Sequence, residues 1–584
     1  MSWTAKWIIN AVDEDSAVRL ARSLRIPLPI ARLLVQRGID DADSADRFLH
    51  PRLSNMEDPF GLPDMRAAVE RIWTAIHSGQ KITVHGDYDV DGVTSTALLV
   101  KVLDDLGADT SAFIPHREED GYGLGLANIK ACLAEHGTQL MVSVDCGTGS
   151  VEAAEFARES GVDLIVTDHH EPSGQVAQAL AVVNPKLIDD DDPAKNLAGV
   201  GVVFKLCHAL LIHARAHDLP MADLDLRKYI DLVALGTVAD IVPLTGENRA
   251  LVRYGLQLME NTNNVGLKAL IDCAGVKPPI TCSTLAFQLA PRINAVGRIG
   301  SAHRALDLLM SEDIGGAREL ADLLDSENRE RQGIEKEVLK SCLAQIEDKF
   351  DPARDFALVA AGAGWHRGVV GIVASRVMRR YHRPAIVIGV EDGRGHGSGR
   401  SIEGFSLVRA LEKCGENLAK FGGHDMAAGL EIEADKLAEF NRQFNSVAAE
   451  MLSHDDLVPT QRVDAWIEIE DVGPELYEAQ NMLAPFGAGN HAPIWALSGV
   501  RFMEKPRQVG KGHLKALVGK GNTVCDAIGF NMWREDLPEG PVDIACKLDK
   551  NEFRGRVSYQ LVIYAIRSHE HIGNRDRVYG SLIL

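Results

Sequence analysis

The stretch Ile82–Val100, "ITVHGDYDVDGVTSTALLV", closes an apolar run with three carboxylates spaced two apart, Asp87, Asp89 and Asp91, set between His85 and Gly92. Three further segments put acidic or imidazole groups at the end of an apolar run. They are "LMVSVD" with Asp145, "DLIVTDHH" with Asp168, His169 and His170, and "DLVALGTVAD" with Asp240. Carboxylates crowded together repel, so either some are protonated or a cation neutralises them. Oxygen donors mixed with imidazole suit Mn2+ or Mg2+ better than zinc. Six or seven such ligands are too many for one ion with an open position and point to two. Two metals about 3.5–4 Å apart are the usual arrangement for in-line attack of water on phosphorus. An EF-hand reading fails: that loop needs Glu at its twelfth position, and counting from Asp87 the twelfth residue is Leu98. A single Asp after a strand is most often a helix N-cap. The joint occurrence of four such segments carries the metal reading.

The elements that must position these groups follow from periodicity. From about 65 to 250, β-rich runs ("KITVHG", "QLMVSVDCG", "VDLIVTDHH", "LAVVNP") alternate with helical stretches such as "TSTALLVKVLDDLG". Apolar strands spaced by helices predict a parallel sheet covered on both faces. The strand tips of such a sheet converge on one crevice, which would bring the four segments together. The chain then divides into a helical segment 1–50, an α/β domain 51–315, a long connecting helix 316–350, a second α/β domain 351–457, and a β-rich tail 458–584 that alternates as a small barrel.

Outside the acidic segments, "GRGHGSGRS" (Gly393–Ser401) interleaves four glycines with Arg394, His396, Ser398, Arg400 and Ser401, and reads as an anion-binding loop. "PRINAVGR" supplies Arg292, Asn294 and Arg298, "WHRGVVG" supplies His366 and Arg367, and "GGH" supplies His424. At 584 residues the chain exceeds one core, and three or four domains are expected. No apolar run approaches the length that spans a bilayer, and the N-terminus lacks the basic-then-apolar pattern of a secretory signal. Nine scattered cysteines without a CxxC pair argue for reduced thiols in a cytoplasm and against a zinc ribbon. The net charge of −21 opposes nucleic-acid binding as a global sum, but binding answers to the local field. From Arg501 onward, fourteen Lys and Arg face ten Asp and Glu, a net of +4, leaving −25 for the first 500 residues. In that tail Lys505, Arg507, Lys511, Lys515 and Lys520 are interleaved with Phe502, His513, Phe530, Trp533, Phe553 and Tyr559. An OB-type barrel that binds single strands uses this combination.

"HGDYDVDG", "VDCG", "TDHH" and "GTVAD" resemble the four successive motifs of the DHH phosphoesterase superfamily. "PRINAVGR", "LLDSENRERQ", "GWHRGVVGIVASR", "GSGRS" and "FGGHDMAAG" resemble the later motifs of its bacterial RecJ exonucleases, so that the resemblance covers nearly the whole chain. It implies a DHH catalytic domain and a DHHA1-type domain joined by the long helix around a central cleft, with an OB-like domain after them. It implies Asp89, Asp91, Asp145, His169 and Asp240 as metal ligands, Asp145 bridging two ions. His85 matches a ligand of the superfamily's pyrophosphatases. Asp87 is either a ligand or a support for one. His170 contacts the scissile phosphate or completes a ligand shell, and Asp168 orients a neighbouring histidine. Arg298, Ser398 and Arg400 would surround a terminal 5′-phosphate, with Ser401, Arg292, Asn294, His366, Arg367, His396 and His424 along the nucleic-acid path. The face of the long helix with Asn328, Arg331 and Glu335 either touches substrate or braces the cleft.

The implied activity is a monomeric 5′→3′ exonuclease on single-stranded DNA, releasing 5′-mononucleotides by two-metal hydrolysis in DNA repair and recombination. The implied partners are single-stranded DNA, a single-strand-binding protein and a RecQ-type helicase, with no membrane. The alternative is a small-oligonucleotide phosphodiesterase or a pyrophosphatase, which would resemble only the two α/β parts.

Overall fold

The structure, a computed structural model, describes residues 5–115, 123–172, 174–188, 192–299, 302–553 and 556–569. The chain forms two compact units: Asp46–Glu330 with Leu483–His491, and Met1–Ala45 with Arg331–Met482 and Ala492–Leu584.

The first unit is built on five short strands, β1 (Lys81–Gly86), β2 (Asp109–Phe113), β3 (Leu140–Val144), β4 (Asp163–Thr167) and β5 (Ala181–Val183). All pair in parallel, in the order β2-β1-β3-β4-β5. Their runs are apolar on both faces because each face meets a core. Ile82, Val84, Val142 and Ile165 enter one cluster, and Met141, Leu164, Val166 and Val182 enter another. The strand order reverses between β1 and β3, and in such sheets the crevice at the reversal binds ligands. Register pairs Gly86 with Val144 and Val144 with Thr167. The residues that follow, Asp87, Asp145 and Asp168, therefore emerge side by side.

Helices α1 (Val90–Asp105), α2 (Gly199–Ala216) and α3 (Ile230–Ala239) pack on one another, and α1 and α2 also pack on strands. Two expectations are corrected here. "DLVALGTVAD" is not a strand tip: it is α3, with Asp240 at its C-terminal cap. A helix buried all round is as continuously apolar as a buried strand, so the pattern does not separate them. The α2 helix, at 18 residues, is long and apolar enough to cross a membrane by composition, contrary to the expectation that no run approaches that length. It is a core helix, 72% buried within the chain.

Further along lie α4 (Ala290–Ile299) and the 34-residue α5 (Ile314–Glu347), which starts in the first unit and ends in the second. In the second unit, β6 (Leu358–Ala363), β7 (Ala385–Glu391), β8 (Arg394–Arg400), β9 (Lys420–Gly423) and β10 (Ala427–Glu433) form a mixed sheet, with α6 (Arg367–Tyr381) packed on β7 and β8. The order is β9-β10-β8-β7-β6, and only β6 and β7 run parallel. Within this unit, buried Glu335 of α5 accepts from Arg331 Nη1 at 3.1 Å and pairs with Arg376 of α6 at 2.5 Å, so it braces two helices.

The tail closes a ring from β11 (Trp495–Phe502), β12 (His513–Lys520), β13 (Thr523–Gly529), β14 (Val542–Phe553) and β15 (Arg556–Ser568). The ring runs β11-β12-β13-β15-β14 and back to β11, with β13 and β15 parallel and the rest antiparallel. This is the connectivity of an OB barrel. The reading of residues 1–50 as helical omits one strand, Lys6–Ile9, which pairs in parallel with Thr460–Val463.

Candidate metal centre and phosphate-binding strand

Asp89 caps α1, its Oδ1 accepting from Gly92 N at 3.0 Å. Asp91 points into the N-terminus of α2, its two oxygens accepting from Gly199 N at 2.7 Å and Val200 N at 2.9 Å. These charge-assisted bonds lock its orientation. Asp145 sits at φ 61°, a left-handed conformation rare outside glycine and common at functional sites. His169 Nε2 lies 3.1 Å from Asp145 Oδ1, 3.6 Å from Asp240 Oδ2 and 3.8 Å from Asp91 Oδ2. Buried Asp87 accepts from Tyr88 N at 2.8 Å. The result is three overlapping donor groups, Asp87–Asp89–Asp145, Asp91–His169–Asp240 and Asp145–His169–His170, each with its atoms within 4.8 Å of one another.

Gly199 and Gly236 make this approach possible. A Cβ at Gly199 would lie 2.6 Å from Asp145 Oδ1, and one at Gly236 would lie 2.9 Å from Asp91 Oδ1. Sequence reasoning missed both glycines and the α2 amides, because Gly199 lies 108 residues from the carboxylate it holds.

The electrostatics fit a cation. Burial, then Asp240 and Asp89, push the Asp91 carboxyl well up; burial, then Asp91, Asp89 and Asp87, do the same to Asp145. Burial and Asp89 push Asp240 up to about 7. Burial lowers His85 and His169 to about 4, which keeps both neutral, the form that ligates metal. Among the described residues, the buried atoms Asp145 Oδ1, His169 Nε2 and His85 Nε2 have no hydrogen-bond partner, even though the first two are 3.1 Å apart. Leaving such atoms unsatisfied is costly, and a divalent ion between Asp145 and His169 would satisfy that pair. His85 stands outside the three groups, its Nδ1 3.9 Å from Cys146 Sγ and its ring against Phe113.

Asp168 is spent on orientation. Its Oδ1 accepts from His169 N at 2.7 Å and His170 Nδ1 at 2.8 Å, and its Oδ2 from Thr148 N at 2.9 Å. Burial pushes its carboxyl up, but the His170 bond and charge, with Thr148, hold it below the ordinary range. Burial pushes His170 down, but Asp168 overrides this and raises it to about 9, so His170 carries a positive charge at neutral pH. Asn184, also missed, bonds the His170 carbonyl at 3.0 Å.

The glycine-rich segment is the strand β8 and not a loop. Its alternation explains its composition. Gly395 and Gly397 face Ile388, Ile432 and Leu430 with no room for a Cβ. Ser398 and Arg400 take the opposite face, beside Gly371 of α6, where a Cβ would meet Ser398 Oγ at 3.0 Å and Arg400 Nη2 at 3.2 Å. Arg400 Nη1 donates to Ser398 Oγ at 3.0 Å and to the Gly399 carbonyl at 2.7 Å, and among the described residues its Nη2 has no hydrogen-bond partner. Ser401 does not join them: it is buried, and its hydroxyl donates to the Phe405 carbonyl at 2.7 Å.

The other expected contacts are scattered in role. Arg292 of α4 is held by Asp325, Nε at 2.9 Å and Nη2 at 2.8 Å, so its fork is engaged within its own unit. His366 caps α6, accepting from Gly368 N at 3.0 Å, and Arg367 opens that helix. Asn294 is half-buried on α4, His396 stands 4.0 Å from Glu431, and His424 is exposed between β9 and β10. The Arg298 and Phe553 side chains lie outside the described residues. In the barrel, Phe530 is exposed, with His513 edge-on at 5.4 Å.

Residues 81–237 match the DHH family, N-terminal domain, residues 354–450 the DHHA1 domain, and residues 463–565 the RecJ OB domain. The chain is 40% identical to the single-stranded-DNA-specific exonuclease RecJ of Bacillus subtilis, covering 96% of this chain and 70% of that protein. It is 37% identical to the RecJ of Escherichia coli, covering 92% and 95% respectively. The crystal structure of RecJ in complex with Mn2+ from Thermus thermophilus matches with a TM-score of 0.83 at 31% identity, covering 98% of this chain and 80% of that one. The Mg2+ complex matches with a TM-score of 0.76 at 30% identity, covering 97% and 79%. With this identity over nearly its full length and the same domains in place, the chain belongs to the RecJ family of single-stranded-DNA-specific exonucleases.

Proposed function

We propose that the protein is a metal-dependent exonuclease that degrades single-stranded DNA from its 5′ end and releases 5′-mononucleotides, using two Mn2+ or Mg2+ ions. The observation that carries this reading is the position of Asp145 between two donor groups: it clusters with Asp87 and Asp89, and its Oδ1 lies 3.1 Å from His169 Nε2, which groups with Asp91 and Asp240. Relatives crystallised with Mn2+ and with Mg2+ support the same choice of cation. When bound, such ions neutralise the carboxylates, activate water and stabilise charge on the phosphate.

The chain's own residues supply the rest. The α2 amides fix Asp91, and Asp168 fixes a positively charged His170 beside Asp145, placed to meet a phosphate oxygen of the scissile linkage. In the second unit, Ser398 and the Arg400 fork suit a phosphate monoester, the group that marks a 5′ end. The OB barrel offers a platform for single-stranded DNA. Nine free cysteines support a reducing, cytoplasmic setting, and a role in DNA repair and recombination belongs to the same reading.

The test uses a single strand labelled in its 5′-phosphate, its duplex and its RNA counterpart, each with Mn2+, Mg2+ or chelator. The reading expects the label to appear at once as mononucleotide, only with metal, and the duplex to resist. Hydrolysis of pyrophosphate or dinucleotides with no attack on long strands would replace it with the small phosphoesterase.

A further inference from the structure

The residue after Asp240 holds a strained backbone conformation. Helices that end in a left-handed residue usually place glycine there. Here the position is Ile241, with φ 64°. For a β-branched side chain this region is strongly disfavoured, and Ile241 is the one β-branched residue with positive φ among the described residues. Ile241 is also 74% exposed, so packing compensates little. The backbone around it is fixed by its neighbours. Ile241 N donates to the Val238 carbonyl at 3.4 Å, Val242 packs against the core, and the Pro243 carbonyl accepts from Asn248 at 3.1 Å. Buried Leu244 donates from its amide to the Ala488 carbonyl at 2.8 Å. A chain pinned in this way would carry glycine at 241 with less strain. Strain of this kind collects where a side chain meets a ligand.

We infer that Ile241 is an apolar support for the nucleobase adjoining the phosphate at the metal centre. It stands one residue from a carboxylate of that centre, and its branched hydrocarbon side chain is exposed. A base in a single strand has a free face for such a contact, whereas a base inside a duplex has both faces covered by its neighbours. Ile241 is thus a positioning residue that favours single strands. The inference rests on the exonuclease reading above.

The test compares the full-length parent with Ile241→Gly, Ile241→Ala and Ile241→Met on a 5′-phosphorylated oligothymidylate. Melting temperature, Mn2+ affinity by EPR titration, kcat and KM are all measured. Ile241→Gly is expected to melt higher, because the strain is relieved, and yet to show KM raised at least fivefold with Mn2+ affinity unchanged. Ile241→Ala should raise KM similarly, and Ile241→Met should restore it to within twofold. The inference is overturned if KM stays within twofold of the parent in both small variants, or if Mn2+ affinity falls in step with KM. A parent that leaves the single strand intact removes the exonuclease reading and this inference with it, so the two failures are distinct.

Discussion

Replacing Asp145 with Ala should abolish turnover, a loss of about 10³-fold or more, and leave the protein folded. Asp145 belongs to two of the three donor groups, so no neighbour can take over its place. The same change should not destabilise the metal-free protein. Burial and the charges of Asp91, Asp89 and Asp87 oppose ionisation of this carboxyl, and among the described residues its Oδ1 makes no hydrogen bond. Removing it takes away repulsion and costs only a small void. The expected pair of results is therefore an inactive enzyme on labelled single strand with Mn2+, and a melting temperature in chelator equal to or above the parent's. An ordinary rate of degradation by the variant would refute the metal centre. A collapse in melting temperature would show that the residue serves the fold instead.

The second large effect concerns the end of the strand. Arg400→Ala should reduce kcat/KM on a 5′-phosphorylated strand by about 10²-fold, equivalent to about 3 kcal/mol for hydrogen bonds to a charged group. On a 5′-hydroxyl strand the loss should be much smaller. Arg400 Nη1 is spent on Ser398 and Gly399, while Nη2 has no hydrogen-bond partner among the described residues. Lys in its place cannot reproduce a planar fork, so Arg400→Lys should recover little. The measurement is the ratio of rates on the two strands. If that ratio is the same in the parent and the variant, Arg400 does not read the terminal phosphate.

The carboxylates and histidines were legible because a parallel sheet gathers its strand tips, and each segment announces itself as an apolar run ending in charge. Asp240 reads from sequence as a strand tip and is instead the cap of a helix, since α3 is buried all round and its pattern carries no period. Ser401 reads from sequence as part of the phosphate site only while alternation along the segment is left out. Once "GRGHGSGR" is a strand, Ser398 and Arg400 share a face, and Ser401, just past its end, turns instead to the Phe405 carbonyl. The resemblance sets Arg292 along the nucleic-acid path, but its partner Asp325 lies 33 residues on, in another helix. The pairing of Lys6–Ile9 with Thr460–Val463 spans most of the chain and leaves no local trace. What sequence conveys poorly here is the supporting layer: Gly199, Gly236, Thr148 and Asn184 act through space on groups named by motif.

The most direct measurement of the central claim is anomalous diffraction from crystals soaked in manganese. Two peaks are predicted, one against Asp87 and Asp89 and one against Asp91, His169 and Asp240, with Asp145 touching both. A single peak away from Asp145, or none among these side chains, would contradict the account.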